Sequence, residues 1–392
     1  MLINKNFKNL IFGRVFGNLG DSLYVMSLSW FLIQTTDSTR WVGVFNAIVF
    51  APTLFSFLLG NLIDRYEKKK LLIFFQIGQG LIALLLTILL FFQIKEPVIL
   101  VLLVGVASSF GMNLFPIADA FTPLLVEKNQ LEKAQSIVVA SFQVSDYIFN
   151  ALIGFFLSVF QLFFMLFLSF ISFILSILSF KKIAFKESLI IKDEKSNESP
   201  KLLDGVRLLF SNRISKYLTI GMIIANIGFS GLSIYILKIA NHLDSSLFLG
   251  LIHATAALGA TIGSTYVSQK LFSHFTAYKK MFVGTLLFGV GMFLSGIFAD
   301  SFFFLFLFGI SSIFLGVTHS VSNPIIQQLF EEEQLGKVFA SQATVTVGIM
   351  PIGSLIFGWI ATYVPGDLFM YSFGLTYILV ALLYLLHFPK SV

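Results

Sequence analysis

The chain has 392 residues, of which 57% are apolar or aromatic and only 12% are charged, about half the charged share of an ordinary soluble chain. Phe alone occurs 48 times, and a water-soluble protein of this size has too little interior to hide so much apolar surface. Soluble enzymes, nucleic-acid binders and disordered chains are thereby excluded. With a formal charge of +6 and no cysteine, disulfides, thiolate metal sites and cysteine nucleophiles are excluded as well.

A bilayer crossing takes about 20 apolar residues. Met1–Asn9 is short and basic through Lys5 and Lys8, but the apolar run after it reaches about Gln34. That is too long for a cleaved signal, so it is expected to remain as the first span. Apolar runs between polar punctuation then predict twelve spans, near 10–34, 41–63, 71–93, 98–124, 135–158, 161–180, 214–237, 247–269, 281–299, 302–323, 338–363 and 368–387. In lipid every backbone N–H and C=O must be bonded internally, so continuous runs of this length are helices rather than strands.

Lys181–Asn212 interrupts the series with KDEKSNESPK, a charged, Ser-rich stretch that reads as a linker, with a surface helix expected near Leu202–Phe210. The predicted fold is therefore an all-α integral membrane protein of twelve transmembrane helices in two pseudo-symmetric six-helix bundles. Residues 1–180 form one bundle, 181–212 the cytoplasmic linker and 213–392 the other. Gln130-Leu131-Glu132-Lys133 after span four and Gln334-Leu335-Gly336-Lys337 after span ten support the repeat, as do Gly43 and Ala47 in span two against Gly250 and Ala254 in span eight. Paired parallel repeats are an architecture of alternating-access transporters.

Of the 26 Lys and Arg, only Arg40, Lys95 and Lys238 fall on the side opposite the termini; Arg14 lies within a span and the rest share the side of the termini. The positive-inside rule places both termini and the linker in the cytoplasm of a multi-pass plasma-membrane protein.

The loop after span two reads Gly60-Asn61-Leu62-Ile63-Asp64-Arg65-Tyr66-Glu67-Lys68-Lys69-Lys70. This G-x-x-x-D-R with its basic cluster resembles the cytoplasmic loop signature of the major facilitator superfamily. The resemblance implies a conformational latch at Gly60, Asp64, Arg65 and Lys69: Gly60 permits close helix approach and Asp64 accepts from a helix N-terminus or a basic partner. The alternative is an interfacial orientation signal. Asn18-Leu19-Gly20-Asp21-Ser22-Leu23 and Ser27-Leu28-Ser29-Trp30 in span one resemble the macrolide-efflux-type branch, as do Phe115-Pro116 with Pro123 and Pro351-Ile352-Gly353 with Gly358. Two departures stand out. The loop after span eight lacks the Asp-Arg pair, and span five, Gly-Pro-rich in many drug antiporters, reads Asp146 to Gly154 with Gly154 alone.

Ionisable groups at membrane depth are costly and signal function. They are Arg14 and Asp21 in span one, Asp119 in span four, Asp146 in span five, His253 in span eight and His319 in span ten. Spans three, six, nine and twelve have none, and the resemblance implies that these face lipid while spans one, four, seven and ten line the cavity. Asp21, mid-span, is the leading candidate for proton coupling or cation binding; otherwise it is a structural acid bonded to its neighbours. Arg14 either snorkels to the cytoplasmic end or pairs with Asp119. Asp119 belongs to a gate or to the interface, and Asp146 is cavity-facing if functional. His319 and Asn323 precede Pro324, where a broken helix would expose carbonyls. Asn226 in span seven, Trp30, Tyr24 and Phe142 complete the candidates, the rings offering cation–π contacts.

No phosphate-binding loop, metalloprotease motif or nucleophile elbow occurs. The expected function is secondary active transport: proton-coupled efflux of amphipathic, cationic, macrolide-like drugs, with no cofactor, the proton gradient as energy source, and a monomer in the lipid bilayer as the working unit. The alternative is the same fold moving another substrate, by lysolipid, siderophore or peptide export or by solute uptake. A membrane enzyme would show paired carboxylates or a metal cluster in a large loop, and the linker has neither. Reporter fusions check the topology: a cytoplasm-active reporter is expected to work at either terminus and in the linker, and an export-active one after Arg40 or Lys95.

Overall fold

In a computed structural model the chain is described over residues 4–58, 66–127, 130–185, 202–299 and 301–389, with helices joined by short turns and no strand among those residues. It divides into two units: Met1–Thr35 with Ile48–Ser199, and Thr36–Ala47 with Pro200–Val392.

Helices α1 (Lys5–Thr36), α3 (Lys68–Phe91), α4 (Pro97–Gly111), α5 (Leu114–Leu125), α6 (Leu131–Val159) and α7 (Leu162–Lys181) make up most of the first unit. Its core gathers Phe7, Leu72, Phe121 and Phe180. The seam of α1 with α7 shows why these helices pack so closely. The rings of Phe180 and Phe173 occupy the space where side chains at Gly13 and Gly20 would begin. Hydroxyls line the same seam, Ser169 donating to the Gly20 carbonyl at 2.7 Å and Ser176 Oγ lying 2.6 Å from that of Gly13. Between apolar surfaces in lipid, small residues and such hydrogen bonds supply the adhesion that the hydrophobic effect cannot.

The second unit holds α8 (Leu202–Ser211), α9 (Arg213–His242), α10 (Ser246–Ile262, continuing as a π-turn over Gly263–Leu271), α11 (Ala277–Ser295), α12 (Phe303–Leu329), α13 (Glu332–Val347), α14 (Met350–Ile360) and α15 (Gly366–His387). Polar residues start several of them. Asn212 accepts from the Ile214 and Ser215 amides, Ser245 from that of Phe248 and Thr276 from that of Lys279, satisfying donors that a helix start leaves free. The core gathers Leu218, Ile325, Ile326 and Tyr384.

Helix α2 (Thr39–Phe50), which tightens into a 3₁₀ turn over Ala51–Leu58, passes from one unit to the other at Ala47–Ile48. Residues 36–47, grouped by sequence with the first bundle, thus lie in the second unit. A Cβ on Gly43 would sit 2.7 Å from the Gly358 Cα, so paired glycines let α2 and α14 touch backbone to backbone. Thr39 Oγ1 donates to the Gly358 carbonyl at 2.9 Å, Arg40 to the Tyr363 hydroxyl at 2.9 Å and Asn46 to Ser233 Oγ at 3.1 Å.

Among the described residues, nine helical stretches are long and apolar enough to cross a membrane, matching predicted spans three, four and six to twelve. The other three predicted spans are not among these nine. In span one α1 is 32 residues long, but Arg14, Asn18 and Asp21 dilute its hydropathy. Span two runs into residues 59–65, outside the described ones. Span five lies on the single helix α6, Leu131–Val159, whose stretch Val144–Val159 is apolar but short among the described residues. The helix break expected at Pro324 is also absent, because α12 runs through it from Phe303 to Leu329. A transmembrane helix tolerates proline where neighbours re-satisfy the freed carbonyl. The breaks fall instead at Met112–Asn113 within span four and at Gly348–Ile349 within span eleven, just before Pro351.

The tightest crossing is that of α10 with α12. Side chains begun at Gly263 and Gly316 would overlap the carbonyls of Ile313 and Ala260. Gly316→Val is expected to cost about 1–3 kcal/mol by overpacking, read as a lowered unfolding midpoint in detergent. Gly336→Ala, with nothing within 4 Å of the added carbon, is expected to raise stability by ~0.5–1 kcal/mol through helix propensity.

Candidate functional site

The buried polar groups of the first unit converge on Asp21. Gln79 Nε2 donates to Asp21 Oδ1 at 2.5 Å, and Gln76 Nε2 donates to Gln79 Oε1 at 2.9 Å. Ser176 Oγ lies 2.8 Å from Gln76 Oε1 and 2.6 Å from the Gly13 carbonyl. Both glutamines are 0% exposed. One turn of α3 separates them, which puts both amides on one face toward α1 and α7. Tyr24 sits beside Asp21 and Gln79, with its hydroxyl 3.5 Å from Ser108 Oγ. Asp146 on α6 is near enough to Asp21 to interact through its charge, and it bonds Asn150 one turn further on.

Arg14 forms a second cluster in the same unit. Its Nη1 lies 3.7 Å from Asp119 Oδ1, an ion-pair distance too long for a hydrogen bond. The guanidinium stands 4.4 Å from the ring centre of Phe115 and 5.8 Å from that of Phe142, and those rings meet edge to face at 5.6 Å. Arg14 is thus held between an acid and two aromatic faces, its side chain 7% exposed. Trp30 is buried in α1. Lys69 Nζ donates to the Ile183 carbonyl at 2.6 Å, tying the start of α3 to the end of α7. The other three latch residues, Gly60, Asp64 and Arg65, lie outside the described residues.

In the second unit a cavity of about 120 Å³ opens among α9, α11, α12 and α15, room for roughly four waters. Its polar lining includes Asn226, Thr285, Thr318, His319, Ser322 and Tyr377. Of these, the buried Tyr377 hydroxyl has no hydrogen-bond partner among the described residues. Asn226 and His319 are thus brought to one cavity. Asn323, one residue past Ser322, is exposed and outside its lining, and His253 is half-buried on α10.

Sequence reasoning missed Gln76, Gln79 and Ser176, because it looked for charge. The resemblance assigned spans three and six to lipid, yet α3 and α7 carry the amides and the hydroxyl that surround Asp21. The available signal was the pair of glutamines three residues apart in an otherwise apolar run, since a buried amide in lipid needs partners as a charge does.

The sequence model of the Major Facilitator Superfamily matches residues 10–279 and 218–392. The chain is 21% identical over 355 residues to Macrolide efflux protein A of Streptococcus pyogenes, across 88% of this chain and 86% of that protein. Among solved structures it is similar to the nucleoside transporter NupG, with TM-score 0.75, 13% identity and coverage of 98% of this chain and 100% of that one. It is likewise similar to a POT family peptide transporter, with TM-score 0.74, 12% identity and coverage of 99% and 98%. A bacterial homologue of the iron transporter ferroportin gives TM-score 0.72, 14% identity and coverage of 97% and 98%.

A double-mutant cycle of Arg14→Gln and Asp119→Asn, read by unfolding in detergent, is expected to give a coupling of about 1 kcal/mol. Phe115→Leu is expected to remove a further ~0.5–1 kcal/mol of cation–π attraction in the Arg14 background and almost none in Arg14→Gln.

Proposed function

Because the chain belongs to the Major Facilitator Superfamily, we propose that it is a proton-driven exporter of amphipathic, cationic, macrolide-like compounds working by alternating access. The observation that carries this reading is Asp21, a half-buried acid deep in α1 held by uncharged amides. An acid there alternates between charged and neutral forms without a fixed cation to lock it in one. The likeness to Macrolide efflux protein A over most of both chains supports the substrate class. Twelve crossings, as two six-helix bundles joined by a cytoplasmic linker at 181–212, with both termini in the cytoplasm, complete the topology.

In the proposed cycle Asp21 takes a proton from the outside, and in the inward-open state it gives up that proton as substrate binds. Asp146 adds negative charge near Asp21, favouring a cation. Arg14 and Asp119, with Phe115 and Phe142, form a neighbouring charged and aromatic group, while Trp30 packs α1. In the second unit Asn226 and His319 offer hydrogen bonds to substrate at their cavity, and Asn323 does so from the exposed face of α12. Gly60, Asp64, Arg65 and Lys69 act as the latch. The proton gradient supplies the energy, no cofactor takes part, and the monomer is the working unit.

A second reading keeps the fold and changes the cargo, to lysolipid, siderophore or peptide export or to solute uptake. The polar cavity of the second unit favours it, since Asn226, Thr285 and Ser322 suit a hydrogen-bonding solute. The similar solved structures include nucleoside and peptide transporters.

Inverted membrane vesicles separate the readings. Macrolide or cationic dye is expected to be taken up with proton release, and Asp21→Asn to slow this at least roughly tenfold, a barrier change of about 1.4 kcal/mol. Unchanged coupled uptake in Asp21→Asn defeats the assignment of Asp21. Uptake of lysolipid or peptide in place of drug establishes the second reading.

A further inference from the structure

The chain Asp21–Gln79–Gln76–Ser176 ends in an ambiguity that has a physical use. With the Ser176 proton turned to Gln76, donors point toward the acid: Ser176 Oγ–H to Gln76 Oε1, Gln76 Nε2–H to Gln79 Oε1 and Gln79 Nε2–H to Asp21 Oδ1. This order suits a carboxylate, which only accepts. A carboxyl protonated at Oδ1, the atom that faces Gln79, donates from that atom, and the order would then clash there.

A half-turn of each terminal amide resolves the clash. Asp21 O–H then donates to Gln79 Oε1, Gln79 Nε2–H to Gln76 Oε1 and Gln76 Nε2–H to Ser176 Oγ. Ser176 turns its own proton to the Gly13 carbonyl, already 2.6 Å away. The chain is continuous in both directions because Ser176 has an acceptor on either side. Nitrogen and oxygen of an amide occupy nearly the same volume, so the turn needs no repacking.

Two glycines give the amides their room. A Cβ on Gly17 would lie 2.8 Å from Gln76 Oε1, and one on Gly111 would lie 2.5 Å from Gln79 Nε2. The missing Cβ at Gly17 and at Gly111 therefore leaves the space that the two amides occupy.

We propose that Gln79, Gln76 and Ser176 are positioning residues forming a reversible hydrogen-bond relay, which flips its donor direction when Asp21 gains or loses a proton and so keeps the first unit packed in both states. The relay rests on the reading of Asp21 as the group that loads the proton. No proton travels along the amides; orientation does, from α1 through α3 to α7 and back to the Gly13 carbonyl. Other titratable groups around Asp21 are Tyr24 on α1 and Asp146 on α6; α3, α4 and α7 present it the amides, Ser108 and Gly111, and the ring of Phe173 against Gly20.

The test is a pH titration of the full chain in lipid bilayers, with glutamine side chains labelled with nitrogen-15 and the two signals assigned by Gln76→Leu and Gln79→Leu. Gln76 and Gln79 are expected to shift together with one midpoint, although only Gln79 touches the acid. Both are expected to become insensitive to pH in Asp21→Asn. In Ser176→Ala the common midpoint is expected to move by at least threefold in proton concentration. A response confined to Gln79, or a Gln76 response that survives Asp21→Asn, overturns the relay; the wild-type titration decides this even if a variant does not fold. Vesicle transport keeps the two readings apart. A joint titration with transport indifferent to Asp21 defeats the coupling assignment and leaves the relay standing. Coupled transport through Asp21 with a silent Gln76 defeats the relay alone.

Discussion

A polar group placed in a hydrocarbon layer has to find its partners within the protein, and much of this molecule follows from that constraint. Backbone groups meet it by forming helices. Side chains meet it by bonding across helices, and Asp21 is the most demanding of them. Among the described residues its neighbours are not counter-ions but a ladder of amides and hydroxyls that reaches across three helices. A basic partner would have fixed the acid in its charged form. Amides leave both forms accessible, as the role proposed for Asp21 in proton coupling requires.

The second acid in the same unit is handled differently. Asp119 has Arg14 beside it, and Arg14 also faces the rings of Phe115 and Phe142. A guanidinium is planar and weakly hydrated, so ring faces replace part of the water it gives up. One unit thus contains a pair in which charge is balanced locally and an acid in which it is not. That contrast separates Asp119, beside a guanidinium, from Asp21, held by an amide.

Close helix packing makes the ladder possible. Ser169 and Ser176 reach α1 carbonyls because Gly13 and Gly20 admit the rings of Phe180 and Phe173 at their side. The same device recurs in the second unit, where Gly263 and Gly316 let α10 and α12 meet, and where Gly43 and Gly358 bring α2 into contact with α14. Small residues here set the distances at which polar side chains can bond.

The sequence by itself determined that this is a helical membrane protein, since no soluble fold buries so many apolar residues. It also determined which ionisable groups lie deep in the spans and that Arg14 and Asp119 were candidates to meet, because a charge in an apolar run is conspicuous. The loop motif pointed to the superfamily that the family comparison then established. Only the tertiary structure decided the partners. Gln76 and Gln79 look unremarkable in a one-dimensional reading, because an uncharged amide gains significance only from what stands opposite it. Likewise the sequence suggested a break at Pro324, but neighbouring helices decide whether a proline opens a helix, and the breaks appeared at Met112 and Gly348 instead. Residues 36–47 joined the second unit because two glycines far apart in the chain meet backbone to backbone, a distance that no hydropathy pattern encodes.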